Sequence, residues 1–563
     1  MNLLDLTTQE VNKVLSNLGA KGKADLVVPP DLKMGDFSFA CFALAKEMDK
    51  NPVELAKVLS EKFDTSDLLE KVVATGPYVN FFLNNKKIAE VVLNKNSSKP
   101  NKKEKIMVEF AHPNTHKAFH IGHLRNIITG ESVVRILENA GFKVVRANYQ
   151  GDVGMHIAKC LYTILQMKDF DNKVSELKSI EDKVKFLGQA YAAGHKFFAE
   201  DKQAKKDVVE LNKRLYNKDQ SVQKIYQTTR QWSLDYFDKI YKKVGSHFDR
   251  FYFESEVYGK GIELVKEFLD KSVFAKGEKG AIIFEGEKHG LHNRVFLNSE
   301  GYPTYEAKEL ALAELQIKEH NPDKIIHVVG KEQTEYFRVV FKALEKTLPI
   351  SKNKEFHLDY GWVTLKSGKM GARTGQVVLG EWLLLEIEKK VAELMVDNDL
   401  ESKERVIQKI AIAAVKYSFL KTGVKNDIKF DLDESINMSG DSGPYLLYIV
   451  ARIKSILNKN EAEGELDKNI KVPTKVAINE KQLLLKLANF DEVCMLAAKN
   501  YDPSKIARYL FVLAQSFNSF YDKCPVLKAD EQTKQFRLKI IKEVERIMQK
   551  GLYLLGVETV EKM

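Results

Sequence analysis

The chain has 563 residues, 44% of them apolar and 29% charged, with a formal net charge of +10. Such proportions fit a soluble globular protein of about three or four domains at ~150 residues each. They exclude a membrane-spanning protein, because no apolar run approaches the ~20 residues that a bilayer requires. The modest basic excess is compatible with an RNA partner without demanding one. Cys41, Cys160, Cys494 and Cys524 are far apart and form no CxxC pair, so neither structural zinc nor a disulfide is expected. The opening MNLLDLTTQE lacks the basic and apolar regions of a signal peptide, and a cytoplasmic location is expected.

In chain order, residues 1–97 read as a small α+β domain. Helical patterns cover Leu3–Leu18 and Phe39–Phe63, and β-type runs cover Leu26–Val28 and Tyr78–Leu83. The polar, lysine-rich stretch Asn94–Lys105 reads as a linker. An apolar run, Ile106–Phe110, then meets a polar turn holding Pro113 and Asn114. His120-Ile121-Gly122-His123 follows, and a helical pattern runs from Leu124 to Ala140. Strand, turn, glycine, helix is the layout of a nucleotide-binding crossover. The helix start offers unpaired N–H groups and a positive dipole end to a phosphate. Gly122 leaves room for an adenine or ribose, and His120 and His123 can both donate to phosphate oxygens. His112, His116, His120 and His123 also suggest a metal cluster. Pro113 and Gly122 argue against one continuous helix through all four.

Phe142–Ala147 is a second buried-strand pattern, ending in Asn148-Tyr149-Gln150-Gly151-Asp152. Ligands of an open parallel sheet lie beyond the carboxyl ends of its strands, which is where Asn114 and Asn148 would fall. Asp152 is either a helix N-cap or a ligand-side group. Ile157 to about Val257 is charge-dense and helical by pattern, most of its charges forming a solvated face. Gly280–Glu285 and Arg294–Leu297 read as paired β runs. Pro303 leads into a helix, Thr304–Lys318, with Tyr305 and Glu309 on one face. The strand Lys324–Val329 ends near Gln333, which reads as a capping residue or a ligand contact. Lys366 to Gly375 packs three glycines and three cations into a loop suited to phosphates. From Glu386 onward the pattern is nearly all helical, with apolar positions recurring in Val406–Leu420, Tyr445–Leu457, Leu483–Leu496, Pro503–Phe520 and Phe536–Leu555. The fold class expected is α/β and multidomain. It comprises an N-terminal α+β domain (1–97), a Rossmann-like catalytic domain (98–385) with a helical insertion at about 157–290, and a C-terminal all-α bundle (386–563).

The tetrapeptide His120–His123 resembles the HIGH signature of class I aminoacyl-tRNA synthetases. The longer string Glu109-Phe-Ala-His-Pro-Asn, Lys117 and His-Ile-Gly-His-Leu-Arg-Asn resembles the arginyl-tRNA synthetases. So do Asp36–Phe39 and Gly76–Phe81, which look like that family's N-terminal extension, and the C-terminal segments Asn518–Tyr521 and Gly551–Gly556. The resemblance runs end to end. It implies ATP-dependent ligation of L-arginine to its tRNA through an arginyl-adenylate, by a monomer. The substrates are L-arginine, ATP with Mg²⁺ and the tRNA for arginine, with no membrane partner. It also implies that arginine activation requires bound tRNA. The segment at 366–375 resembles the KMSKS loop, with Ala372 where the second lysine would stand. In this family a lysine before HIGH, here Lys117, is thought to serve instead.

Carried over residue by residue, the resemblance makes His120, His123, Lys117, Lys369 and Arg373 catalytic. ATP would lie against His120, Gly122, His123, Lys369 and Met370. Arginine would meet Glu109, Asn114, Asn148, Tyr305, Glu309 and Gln333. A guanidinium is best read by a carboxylate that accepts two parallel hydrogen bonds. Glu309 is the residue placed for this, where the family usually has Asp. Phe37, Tyr445, Tyr509, Tyr521 and Met563 would touch tRNA, the last three by stacking on anticodon bases; a core position is the plain alternative for any one of them. Rival readings are another class I synthetase such as the cysteinyl enzyme, a small-molecule adenylyltransferase, and a non-catalytic tRNA-binding paralogue.

Overall fold

The computed structural model describes residues 2–94, 101–167, 169–366, 378–395, 403–461 and 472–563. The first unit begins with the helix Leu3–Asn17. Asn2 accepts from Asp5 N, and Leu3, Thr7, Val11 and Leu15 form the buried stripe. An antiparallel sheet follows, ordered Leu26–Val27, Phe37–Ala40, Tyr78–Leu83, Leu69–Thr75. The helix expected over 39–63 is therefore corrected. Phe39 belongs to a strand, paired with Val79, and two helices follow, Phe42–Glu47 and Pro52–Ser60. The break is local chemistry: Asn51 accepts from Val53 N and Glu54 N, and Pro52 takes the first helical position. Phe37 faces Phe81 across the sheet and is only 3% exposed. Its expected contact with tRNA is corrected to a core position.

The central sheet is wholly parallel, ordered Glu355–Tyr360, Lys324–Gly330, Lys105–Glu109, Lys143–Gln150, Arg250–Phe253. The earliest strand lies in the middle, and the chain winds outward from it in both directions. The winding reverses between Lys105–Glu109 and Lys324–Gly330, which is where open α/β sheets bind ligands. Two strands are additions to the sequence reading. Arg250–Phe253 ends the stretch taken as helical, and Glu355–Tyr360 alternates charged and apolar residues. Strand parity sends Met107, Ala147, Tyr149, Tyr252 and Ile325 to one face, under the helices Glu254–Asp270, Tyr305–His320 and Thr334–Thr347. Ile106, Val108, Ile326 and Val328 face the other way, against the helix Ile121–Asn139.

Helices Met155–Leu165, Ile180–Glu200, Lys202–Tyr216 and Gln220–Lys243 form the insertion around their own apolar cluster. Ala275–Lys276, Ile282–Phe284 and Arg294–Leu297 make a small antiparallel sheet. Beyond Gly380 the described chain is helical except for Ile428–Phe430, which pairs in parallel with Val363–Leu365. The helix expected across Leu483–Leu496 is two, Ile478–Ala488 and Phe490–Asn500. Among the described residues no helix is long and apolar enough to cross a membrane.

Side chains of the Ile121–Asn139 helix join these parts. The buried Arg125 guanidinium donates to the carbonyls of Trp362 (3.1 Å), Val424 (2.8 Å) and Asn426 (2.9 Å). Ser132 Oγ donates to Leu554 O at 2.8 Å and Arg135 Nη1 to Tyr553 O at 3.0 Å, closing the end of the last helix, Glu531–Leu554. Lys416 donates to Gly556 O beside them. Arg125→Ala removes three charge-assisted bonds and opens a cavity. It is expected to cost about 3 kcal/mol or more of stability, read as a fall in the urea midpoint; an unchanged midpoint would show that this junction contributes no stability.

Candidate active site

The turn between Glu109 and His120 is built by side chains that bind backbone. Asn126 accepts from Ala111 N at 2.6 Å and donates to Val328 O at 2.7 Å, tying the first strand's exit to its neighbour. Ala111, His112 and His116 take positive φ values of 81°, 49° and 62°. For such residues this costs on the order of 1–3 kcal/mol each and persists only where the surroundings impose it. His116 N donates to Ser233 Oγ at 3.0 Å, and its ring lies between the hydroxyls of Thr115 and Thr229. Burial pushes its pKa down to about 3, so the ring is neutral. Among the described residues no group of three or more His, Cys, Asp or Glu is placed to hold a metal ion.

His120 is the N-cap of the Ile121–Asn139 helix. Its Nδ1 accepts from Gly122 N at 3.1 Å, and His123 Nδ1 accepts from His120 N at 3.1 Å. The rings stack with centroids 3.7 Å apart. A ring nitrogen that accepts carries no hydrogen, so both protons reside on Nε2. Burial, with the neighbouring positive charge of Lys117, holds both rings below their ordinary pKa, His123 furthest. The result is two neutral N–H donors at the positive end of a helix. Gly122 is required sterically, since a Cβ there would come within 2.9 Å of the His120 ring. Lys117 is half-buried, which lowers its own pKa. Ile121 N donates to Val378 O (2.9 Å) and Gly380 N to Phe119 O (3.0 Å). Lys369, Met370 and Arg373 lie outside the described residues.

The sheet face under Tyr305–His320 carries a group of buried charges. Glu109 is 1% exposed; Gln316 donates to one oxygen, and His327 Nδ1 lies 3.2 Å from the other. His327 Nε2 lies 2.7 Å from Glu355. Both ring nitrogens face carboxylates, so His327 is an imidazolium: burial opposes the charge, but Glu109 and Glu355 raise its pKa well above the ordinary value. Burial likewise opposes the Glu109 charge, and His327 outweighs it. Glu254 pairs with Lys308 at 2.5 Å, both buried. Glu309 differs. Among the described residues its one hydrogen bond is a long one, from Tyr336 Oη at 3.5 Å. Burial, then the Glu109 charge, pushes its pKa up to about 8. Asn114 stands against Gly151, where a Cβ would meet Asn114 Oδ1 at 2.0 Å and Glu254 Oε1 at 3.2 Å. Tyr305 is 51% exposed, its ring 5.2 Å from Lys308 Nζ. Gln333 is exposed at the start of Thr334–Thr347, makes no capping bond, and precedes Tyr336 by one turn.

Two expectations are corrected here. Asn148 points to the opposite face of the sheet from Glu109, where its Nδ2 donates to Tyr241 Oη at 3.0 Å. The strand runs on to Gln150, so parity places Tyr149 among the charges instead. Asp152 makes no capping bond to the following helix. It binds Arg230 Nε (2.8 Å), Ser255 N (2.9 Å) and Ser255 Oγ (2.7 Å), closing the start of Glu254–Asp270 from a distance. Glu254, Lys308, His327 and Tyr149 were missed; alternation along the strand was the signal for Tyr149.

In the C-terminal bundle Tyr445 is 7% exposed and its hydroxyl accepts from Asn518 at 3.0 Å, so its expected contact with tRNA is corrected to a core role. Tyr509 is half-buried and donates to Lys486 O at 2.9 Å. Tyr521 and Met563 are also half-buried, with Arg452 4.8 Å from the Tyr521 ring centroid.

Family models match three stretches: an arginyl tRNA synthetase N-terminal domain over residues 5–83, the catalytic domain of class I (R) tRNA synthetases over 87–432, and a DALR anticodon-binding domain over 446–563. The arginine–tRNA ligase of Clostridium acetobutylicum is 31% identical, with all of both chains covered. That of Treponema denticola is 32% identical over 96% of this chain and 95% of its own. The structure of Thermus thermophilus arginyl-tRNA synthetase superposes with a TM-score of 0.82 at 25% identity, over 99% of this chain and 100% of the other. The central parallel sheet, the imidazole-capped helix and these full-length matches agree, and the chain belongs to the arginyl-tRNA synthetase family of class I.

Proposed function

We propose that the chain ligates L-arginine to its cognate tRNA through an arginyl-adenylate. The observation that carries this is Glu309, a half-buried carboxylate whose one hydrogen bond among the described residues is the long one from Tyr336. It lies on the helix Tyr305–His320, which covers the sheet whose switch point also presents the Nε2–H donors of His120 and His123. Arginine would set its guanidinium on Glu309, with Tyr305 and Gln333 at the mouth and Asn114 on the backbone end. Glu109 supplies its charge from beneath. The α-carboxylate of arginine would then attack the α-phosphate of ATP, and pyrophosphate leaves. His120 and His123 donate to phosphate oxygens as charge develops, the helix start adds its dipole, and Lys117 neutralises the departing pyrophosphate. Mg²⁺ would arrive with ATP as part of the substrate. In the second step the tRNA 3′-terminal hydroxyl attacks the arginyl carbonyl carbon of the adenylate, and AMP leaves.

The proposed division of labour is 1–97 for the tRNA corner, 98–385 for catalysis and 386–563 for the anticodon, with Tyr509, Tyr521 and Met563 its remaining candidate contacts. A cytoplasmic monomer is the proposed setting, which the four free, buried cysteines fit. The test is aminoacylation of total tRNA with each of the twenty amino acids. Charging with arginine alone is expected, and charging with another amino acid would overturn the pocket. Pyrophosphate exchange is expected only when tRNA is present; exchange at full rate without it would contradict that requirement.

Two variants probe the two halves of the site. Gly122→Ala drives the His120 ring from its capping position and should lower kcat/KM for ATP by about 100-fold, with little change in melting temperature. A pH series probes Glu309, which must be ionised to hold a guanidinium. Because its pKa is raised to about 8, kcat/KM for arginine should climb about ten-fold per pH unit below that value and level off above it. Glu309→Gln should abolish the climb. A flat profile in the unaltered protein would take Glu309 out of the guanidinium site.

A further inference from the structure

We propose that Tyr149 is a specificity-determining contact of the arginine site, its hydroxyl accepting an N–H of the substrate guanidinium beside Glu309. The inference rests on the arginine-ligating reading and adds a residue to its pocket. Tyr149 lies on the penultimate position of the strand Lys143–Gln150, on the same face as Met107 and Ala147 and in the cluster packed under Tyr305–His320. It is 9% exposed, and its Oη is buried with no hydrogen-bond partner among the described residues. The neighbouring strand residues Asn148 and Gln150 both donate to Tyr241 on the far face, so of these three side chains Tyr149 alone turns toward the charges.

A buried hydroxyl without a partner is destabilising, and a site keeps one where a ligand supplies the bond. Burial, then the charges of Glu254 and Glu309, hold the phenol well above its ordinary pKa, so it stays protonated. A protonated phenol both donates and accepts. A guanidinium only donates, through five N–H groups in one plane. Tyr149 can therefore accept from the guanidinium while giving its own proton to a carboxylate of the same group. A lysine ammonium is a compact charge that does not present that planar fork, so the hydroxyl adds to discrimination as well as to affinity.

The experiment is Tyr149→Phe in the full chain, which removes one oxygen and no packing. Steady-state charging is measured with arginine, canavanine and lysine, alongside the KM for ATP and the melting temperature. The expected result is a fall of about ten-fold or more in kcat/KM for arginine, narrower discrimination against lysine, an unchanged KM for ATP and a melting temperature held or raised. Unchanged arginine kinetics would overturn the proposal. So would a lowered melting temperature, which would mean that the hydroxyl bonds within the fold. A parent chain that charges no arginine would instead remove the reading on which the proposal rests.

Discussion

The first turn of any helix leaves N–H groups that its own carbonyls do not reach. In this chain two imidazoles accept them, and the site depends on that exchange. A serine or aspartate would cap the helix equally well but would present only an oxygen. An imidazole that accepts through Nδ1 must carry its proton on Nε2, so satisfying the backbone also fixes the tautomer. The helix thereby turns two of its unpaired donors into two side-chain donors that stand further out. Gly122 permits this by leaving space for the His120 ring. Asn126, one turn on, holds the strand exit to which the rings are referred.

The charge cluster obeys a different constraint. Buried carboxylates repel one another, and each must find a cation or take up a proton. Glu254 finds Lys308, while Glu109 and Glu355 share His327. Glu309 has no cation partner among the described residues and takes up the proton instead, as its raised pKa records. The pocket is thus complementary to a cation in two ways: one carboxylate is left over, and the paired ones surround it with a negative field. The methylene that distinguishes Glu309 from the family's usual aspartate extends this carboxylate further from its helix.

The sequence was most readable where chemistry and local structure coincide. His120, Gly122 and His123 show both the helix start and its task. The apolar run before them announces a buried strand. Elsewhere one property hid another. Phe37–Ala40 runs almost directly into a helix and took on its pattern. Arg250–Phe253 closes a long helical stretch, and Glu355–Tyr360 carries alternate charges that read as surface. Asn148 looked like a ligand contact because strand ends are polar, but two further residues of strand reversed its side. Lys308 and His327 were illegible for another reason: their partners lie 54 and 218 positions away, and an isolated charged residue does not announce a distant partner. The C-terminal aromatics illustrate the same limit, since helical periodicity separates Tyr445 from solvent only once the packing partners are known.

The grip of Ser132 and Arg135 on the last helix has a consequence for how the protein is made. These bonds span 422 and 418 positions of chain. Chains emerge N-terminus first, and contacts so distant carry the largest closure entropy. The outer end of the nucleotide-facing helix therefore lacks its covering until residues 553–556 have been synthesised. Until then Ser132, Arg135 and the neighbouring Lys416 stand beside an unfinished surface. The packing of this helix's outer end is therefore completed late, set by translation of the far end of the message.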